Sequence, residues 1–198
     1  EHRPARMVLL PAFTPAQIDK LEAKARQVCN LLIDRVIGQA ECDGAVDYAQ
    51  HIPVRVIAHM LGVSEEDGDL FREWIEAVLV KGVTDPQVLM KGITEMTQYL
   101  GAAIARRRAG PLGDDLISFL LDTEFQGRKF DDAHVLGSLR LVLIAGIDTT
   151  WSGIGASIWH LATHPEDRRR LVAEPELIPT AIEEFLRAYS PVTMARLV

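Results

Sequence analysis

The 198 residues carry 21 lysines and arginines against 28 aspartates and glutamates, a net charge of −7, and 48% of them are hydrophobic. Such a chain can bury one sizeable core, and its acidic balance argues against a nucleic-acid binder, which needs a surplus of cations on one face. No apolar run approaches the roughly 20 residues of a bilayer span, and no secretory leader pattern opens the chain, so a soluble, cytoplasmic protein is expected. The arginine runs at 106–108 and 168–170 fall near predicted helix ends and read as solvated faces.

In chain order, the first strong pattern runs from Thr14 to Val36. Ile18, Leu21, Ala25, Val28, Leu31, Leu32 and Val36 recur at three and four residues, with Asp19, Lys20, Glu22 and Lys24 between them. This predicts an amphipathic helix with Thr14 as N-cap and Pro15 in its first turn. Cys29 lies on its apolar side and reads as a buried, inert thiol; with Cys42 it makes no disulfide framework. Helical periodicities follow over 54–61, 70–80, 87–107 and 116–121. The longest spans 131–163, and its middle, from Leu141 to Ile147, is apolar on every side, so a helix buried at the centre of the domain is expected. Pro165 stops it, and Pro179 opens a last helix to about Tyr189. Beyond Ser190-Pro191 the chain reads as extended. Strand alternation is nearly absent, which makes the fold class all-α.

Within the long helix stands Ala145-Gly146-Ile147-Asp148-Thr149-Thr150. Glycine there costs about 1 kcal/mol against alanine, and an unpaired buried carboxylate costs several more. The small Ala145 and Gly146 would let a flat ligand lie against the backbone. Thr149 can bond back to the carbonyl of residue 145, loosening the helix, and an acid beside a hydroxyl is what proton delivery needs. Taken alone, the motif could equally be a polar packing kink in a non-catalytic helical binding module. On the final helix, Glu184-Phe185-Leu186-Arg187 puts a carboxylate and a guanidinium on one face, a pattern that by itself is usually a surface ion pair.

In this order, A-G-x-D-T-T and then E-x-x-R with Ser190-Pro191-Val192, the sequence resembles the cytochrome P450 superfamily, in particular its soluble bacterial members. The resemblance implies a mainly helical fold in which residues 1–198 are the central helical part of a single haem domain, incomplete at both ends. It implies a monooxygenase that uses haem b, inserts one atom of dioxygen into a small hydrophobic substrate, and draws electrons from NAD(P)H through a ferredoxin-type or flavin reductase partner. Asp148 and Thr149 match the family's proton-delivery positions, with Leu141, Ala145 and Gly146 against the haem. His2 and Arg6, in E-H-R-P-A-R, match an H-x-x-x-R pattern that reaches a haem propionate, and Arg196 matches a second propionate ligand. Ile144, Val192 and Met194 are expected to face substrate. Glu184 and Arg187 match a buried structural pair. The family's glycine-rich cysteine loop would lie beyond Val198, so no metal ligand is expected in this chain, and alone it is expected to be inactive.

Two other patterns are weak. His160 and His164 have the i, i+4 spacing of zinc ligands, but Pro165 ends the helix there. Gly153 and Gly155 lack the third glycine and the preceding strand of a dinucleotide loop.

Overall fold

The computed structural model describes residues 7–125 and 127–192. Eight helices carry the described residues: α1 (Pro15–Val36), α2 (His51–Leu61), α3 (Gly68–Leu79), α4 (Pro86–Ala109), α5 (Leu116–Asp122), α6 (Asp132–Thr163), α7 (Pro165–Ala173) and α8 (Ile178–Ala188). A two-residue antiparallel ladder, β1 (Glu124–Phe125) with β2 (Arg128–Lys129), turns over Gly127 at φ 75°. The all-α expectation holds.

Aspartate side chains cap three of the eight helix starts. Asp85 accepts from the Gln87 and Val88 amides ahead of Pro86, Asp115 accepts from Ser118, and Asp131 accepts from His134. Thr14 stands at the predicted N-cap of α1, but its hydroxyl donates back to the Pro11 carbonyl at 3.4 Å and caps nothing. α2 starts at His51, earlier than the apolar spacing indicates, because a turn of wider helix, Gly44–Ala49, leads straight into it.

The main core lies where α2, α3, α4 and α5 meet the first half of α6. The contribution of α6 is one line of residues four apart, Val135, Leu139, Leu143 and Ile147, all 0–1% exposed. Between α3 and α4, Phe71, Trp74 and Tyr99 form an aromatic cluster with ring centroids 5.4–5.5 Å apart. The Trp74 indole donates to Glu95 at 3.3 Å and the Tyr99 hydroxyl to Asp67 at 2.5 Å, so each buried polar tip has a partner.

An arginine ties three helix ends together. Arg107, near the end of α4, donates to the Gly62 carbonyl at 2.8 Å and to Asp115 at 3.0 Å. Asp115 also takes the Ser118 hydroxyl at 3.0 Å, and that hydroxyl accepts from the Gly113 amide at 2.8 Å. Gly62 ends α2 at φ +69°, and a Cβ there would meet Arg107 Nη2 at 2.5 Å, so the position requires glycine on two counts.

The expectation that the middle of α6 is buried on all sides is corrected. Leu141 is 59% exposed and Trp159 57%. By length and composition alone α6 could cross a bilayer, yet it is covered along its buried line by the other helices. Its other faces pack only partly, against the Gly44–Ala49 turn, α7 and α8. α7 and α8 bury no residue fully. Cys29 is half-buried in a second small cluster with Val28, Leu32 and Ile52; burial of Tyr48, then its contact with Cys29, push the Tyr48 hydroxyl up to about 12.

Candidate functional site

One line on α6 runs through Leu141, Ala145 and Thr149, each four residues after the last, the first two exposed and Thr149 half-buried. The Thr149 hydroxyl donates to the Ala145 carbonyl at 2.7 Å, the back-bond its sequence predicts. With its proton committed to the carbonyl, the Thr149 oxygen keeps its lone pairs for a donor arriving from outside the helix. Ala145 is exposed, and its small side chain leaves a flat apolar surface. Asp148 is half-buried and makes no hydrogen bond or ion pair with another described residue.

Two apolar grooves flank this line. One, of about 720 Å³, is walled by Leu141, Ala145 and Gly146 on α6, by Ile57 and Met60 on α2, and by Leu9, Leu10 and Phe13. The other, of about 700 Å³, takes in Thr149, Thr150 and Ile154, with Ile182 and Leu186 of α8 and Pro191 opposite. The predicted residues are thus split: Leu141, Ala145 and Gly146 open on the first groove, and Thr149 on the second. Asp148 and Ile144 line neither, Ile144 being half-buried against the main core. Val192 is 60% exposed, just past the second groove. His2, Arg6, Met194 and Arg196 lie outside the described residues.

Gly146 also makes a contact that its sequence reading does not foresee. The space where its side chain would stand is filled by Ile57, with Cδ1 2.6 Å from an ideal Cβ. Ala145 and Gly146 both open on the first groove, and Gly146 also admits a neighbouring helix.

The cytochrome P450 family model matches residues 87–196, more than half of the chain and including α4 to α8. The chain belongs to the cytochrome P450 family. It is 34% identical to cytochrome P450 107B1 of Saccharopolyspora erythraea over 97% of this chain and 47% of that protein. It is 33% identical to the steroid C26-monooxygenase of Mycobacterium tuberculosis over 96% of this chain and 49% of the relative. Among solved structures, the polyketide synthase P450 PksS of Bacillus subtilis superposes with a TM-score of 0.91 at 31% identity, covering 98% of this chain and 50% of its own. The chain spans about half the length of the curated relatives it matches.

Against the P450 pattern, the E-x-x-R pair forms but is not buried. Arg187 donates to both Glu184 oxygens, at 2.8 and 2.6 Å, and Arg187 holds the Glu184 carboxyl below the usual carboxylate range. The two side chains are 72% and 59% exposed, for Arg187 and Glu184 respectively. The expectation of burial is corrected, and the reason is local: α8 rests on α6 and the turn before it, and no described residue covers the face that carries the pair.

A constellation absent from the sequence reading joins α6, α7 and α8. His160 Nδ1 lies 2.7 Å from the Tyr189 hydroxyl and Nε2 lies 2.9 Å from Asp167, while the His164 ring stacks on it at 4.1 Å. Both imidazole nitrogens thus have partners, and among the described residues no group of three or more metal-ligating side chains occurs. Only the reversal at Pro165 brings Asp167 and Tyr189 to His160, so spacing along one helix could not reveal it.

Proposed function

We propose that the chain is part of the haem domain of a soluble, cytoplasmic P450 monooxygenase that oxygenates a small hydrophobic substrate. Family membership carries this reading, and the Thr149 to Ala145 back-bond at 2.7 Å supports it in detail. Electrons would come from NAD(P)H through a ferredoxin-type or flavin reductase partner, as the family uses. Relatives named as a steroid C26-monooxygenase and a vitamin D(3) 25-hydroxylase support an apolar substrate class.

The described residues fit a haem on its distal side. The exposed Leu141 and Ala145 line gives a flat macrocycle an apolar surface without a side chain in the way, and the grooves beside it are apolar. Neither Cys29 nor Cys42 lines either groove; as in the family, the thiolate of the cysteine loop would hold the iron. Haem b so held supplies dioxygen binding and cleavage. His2, Arg6 and Arg196 would hold its propionates, and Ile144, Val192 and Met194 would face the substrate.

This chain's own part is proton delivery. The Thr149 oxygen, its hydroxyl proton bound to Ala145, would accept a hydrogen bond from a water and hold that water where a proton is needed. Asp148, half-buried and unpaired with other described residues, would renew the proton from solvent. In the whole enzyme Leu141 and the apolar groove walls would limit the access of bulk water. Glu184 and Arg187 would be a structural pair in the whole enzyme. The test is to load the full-length protein with haem, supply a redox partner, and look for one oxygen atom from ¹⁸O₂ in a hydroxylated or epoxidised apolar product. Haem incorporation without any incorporated label would overturn the reading.

A further inference from the structure

Resting on that reading, the geometry points to Ile57 of α2 as the positioning residue of the Ala145 to Thr149 unit: its terminal methyl sits in the Gly146 notch and sets the peptide that anchors the Thr149 hydroxyl. An ideal Cβ on Gly146 would lie 2.6 Å from Ile57 Cδ1 and 3.9 Å from Cγ1. Carbon atoms pack best at about 3.5–4.0 Å, so only a glycine lets this methyl reach the backbone of α6. The Gly146 Cα and the Ala145 carbonyl belong to one planar peptide. Pressure on the Cα therefore tilts a rigid unit, and the carbonyl that accepts from Thr149 moves with it. Ile57 is 7% exposed and shares its cluster with Leu143 and Ile147 of α6, which flank Gly146 in sequence, so the side chain is held within the core beside the notch. Its branched Cβ fixes χ1, which leaves rotation of Cδ1 as the one soft degree of freedom at the contact. Ile57 also walls the first groove, and its action on Thr149 runs through Gly146.

The experiment uses the full-length, haem-loaded enzyme and measures product and hydrogen peroxide per NAD(P)H consumed, KM, and the thermal midpoint. Ile57→Val deletes Cδ1 alone. A misplacement of about 1 Å can cost up to about 100-fold, and here a loss of roughly threefold or more in product per NAD(P)H is expected, with KM within about twofold. Gly146→Ala in the Ile57→Val background should recover coupling and raise the midpoint above that of Ile57→Val, because the alanine methyl takes the vacated place and favours the helix. Gly146→Ala alone should displace Cδ1 and lower coupling. Val54→Ala is the control for loosening of α2: Val54 is 1% exposed and faces Gly68 of α3, and its truncation should lower the midpoint without peroxide. Normal coupling in Ile57→Val, or equal uncoupling in Val54→Ala, overturns the inference while Thr149→Ala still uncouples. Normal coupling in Thr149→Ala overturns the reading of Thr149 itself, and this inference with it.

Discussion

The first half of α6 is densely aliphatic and its second half mixes Ile154, Ile158, Trp159 and Leu161 with small and polar residues, and the two halves have different surroundings. Around the first half, α2 to α5 bury Val135, Leu139, Leu143 and Ile147 almost completely. Around the second, α7 and α8 bury nothing fully, and Trp159, Ile178, Ile182 and Leu186 are each more than 40% exposed. Apolarity therefore states what a face can bury, and only the neighbours decide whether it does. The Ala145 to Thr149 unit stands at the boundary between the two regimes, anchored from the buried side through Gly146 and open on the other.

The contrast breaks most sharply on truncation. Leu143→Ala should cost about 2–5 kcal/mol in denaturant unfolding, the range for a packed core leucine, whereas Leu186→Ala, 45% exposed in this chain, should cost well under half of that. Next comes Arg107→Ala, which strips a nearly buried Asp115 of its cation and the Gly62 carbonyl of a donor; about 2 kcal/mol is expected. Equal costs at Leu143 and Leu186 would erase the distinction.

These contrasts were unevenly legible in the sequence. Helix starts marked by Asp85-Pro86, Asp131 and Pro165 were readable because a short carboxylate or a fixed φ acts locally. The Thr14 hydroxyl was not, since whether it turns to the next turn of helix or back to Pro11 depends on the preceding 3₁₀ turn. The ladder at 124–129 has two residues per strand, too few to show alternation. At the site, the residue types and the Thr149 back-bond were legible because they lie within one turn of one helix. Ile57 in the Gly146 notch and the His160, Asp167 and Tyr189 contacts were not, because each joins separate helices whose crossing no local pattern encodes. The burial of Glu184 and Arg187 was expected from resemblance alone, and α8 in this chain offers nothing to cover them.

Smaller effects refine the same map. Tyr99→Phe removes the donor to Asp67 inside the aromatic cluster and should cost about 1 kcal/mol. Burial, then the Asp67 contact, raise the Tyr99 hydroxyl above its ordinary value, so its contribution is full below the ordinary tyrosine pKa and fades as pH rises toward the raised one. Urea midpoints of wild type and Tyr99→Phe should therefore converge only in strong alkali. Glu184→Gln should give the smallest shift, as fits an exposed pair. Since Arg187 lowers the Glu184 pKa, whatever the pair contributes is present above the ordinary carboxylate range and lost as pH falls through the lowered value. A shift at Glu184 as large as that at Arg107 in the same chain would contradict the exposure seen here.

The most direct test of the central claim, that Thr149 anchored on Ala145 delivers the proton, is the coupling of the full-length, haem-loaded enzyme. Product, peroxide and NAD(P)H are measured together for Thr149→Ala, Asp148→Asn and Thr150→Ala. Thr149→Ala should keep haem and substrate binding while most reducing equivalents leave as peroxide, and Asp148→Asn should slow turnover without that diversion. Thr150→Ala, about 100° further round the helix, should stay near wild type. Normal coupling in Thr149→Ala, or equal uncoupling in Thr150→Ala, would contradict the account.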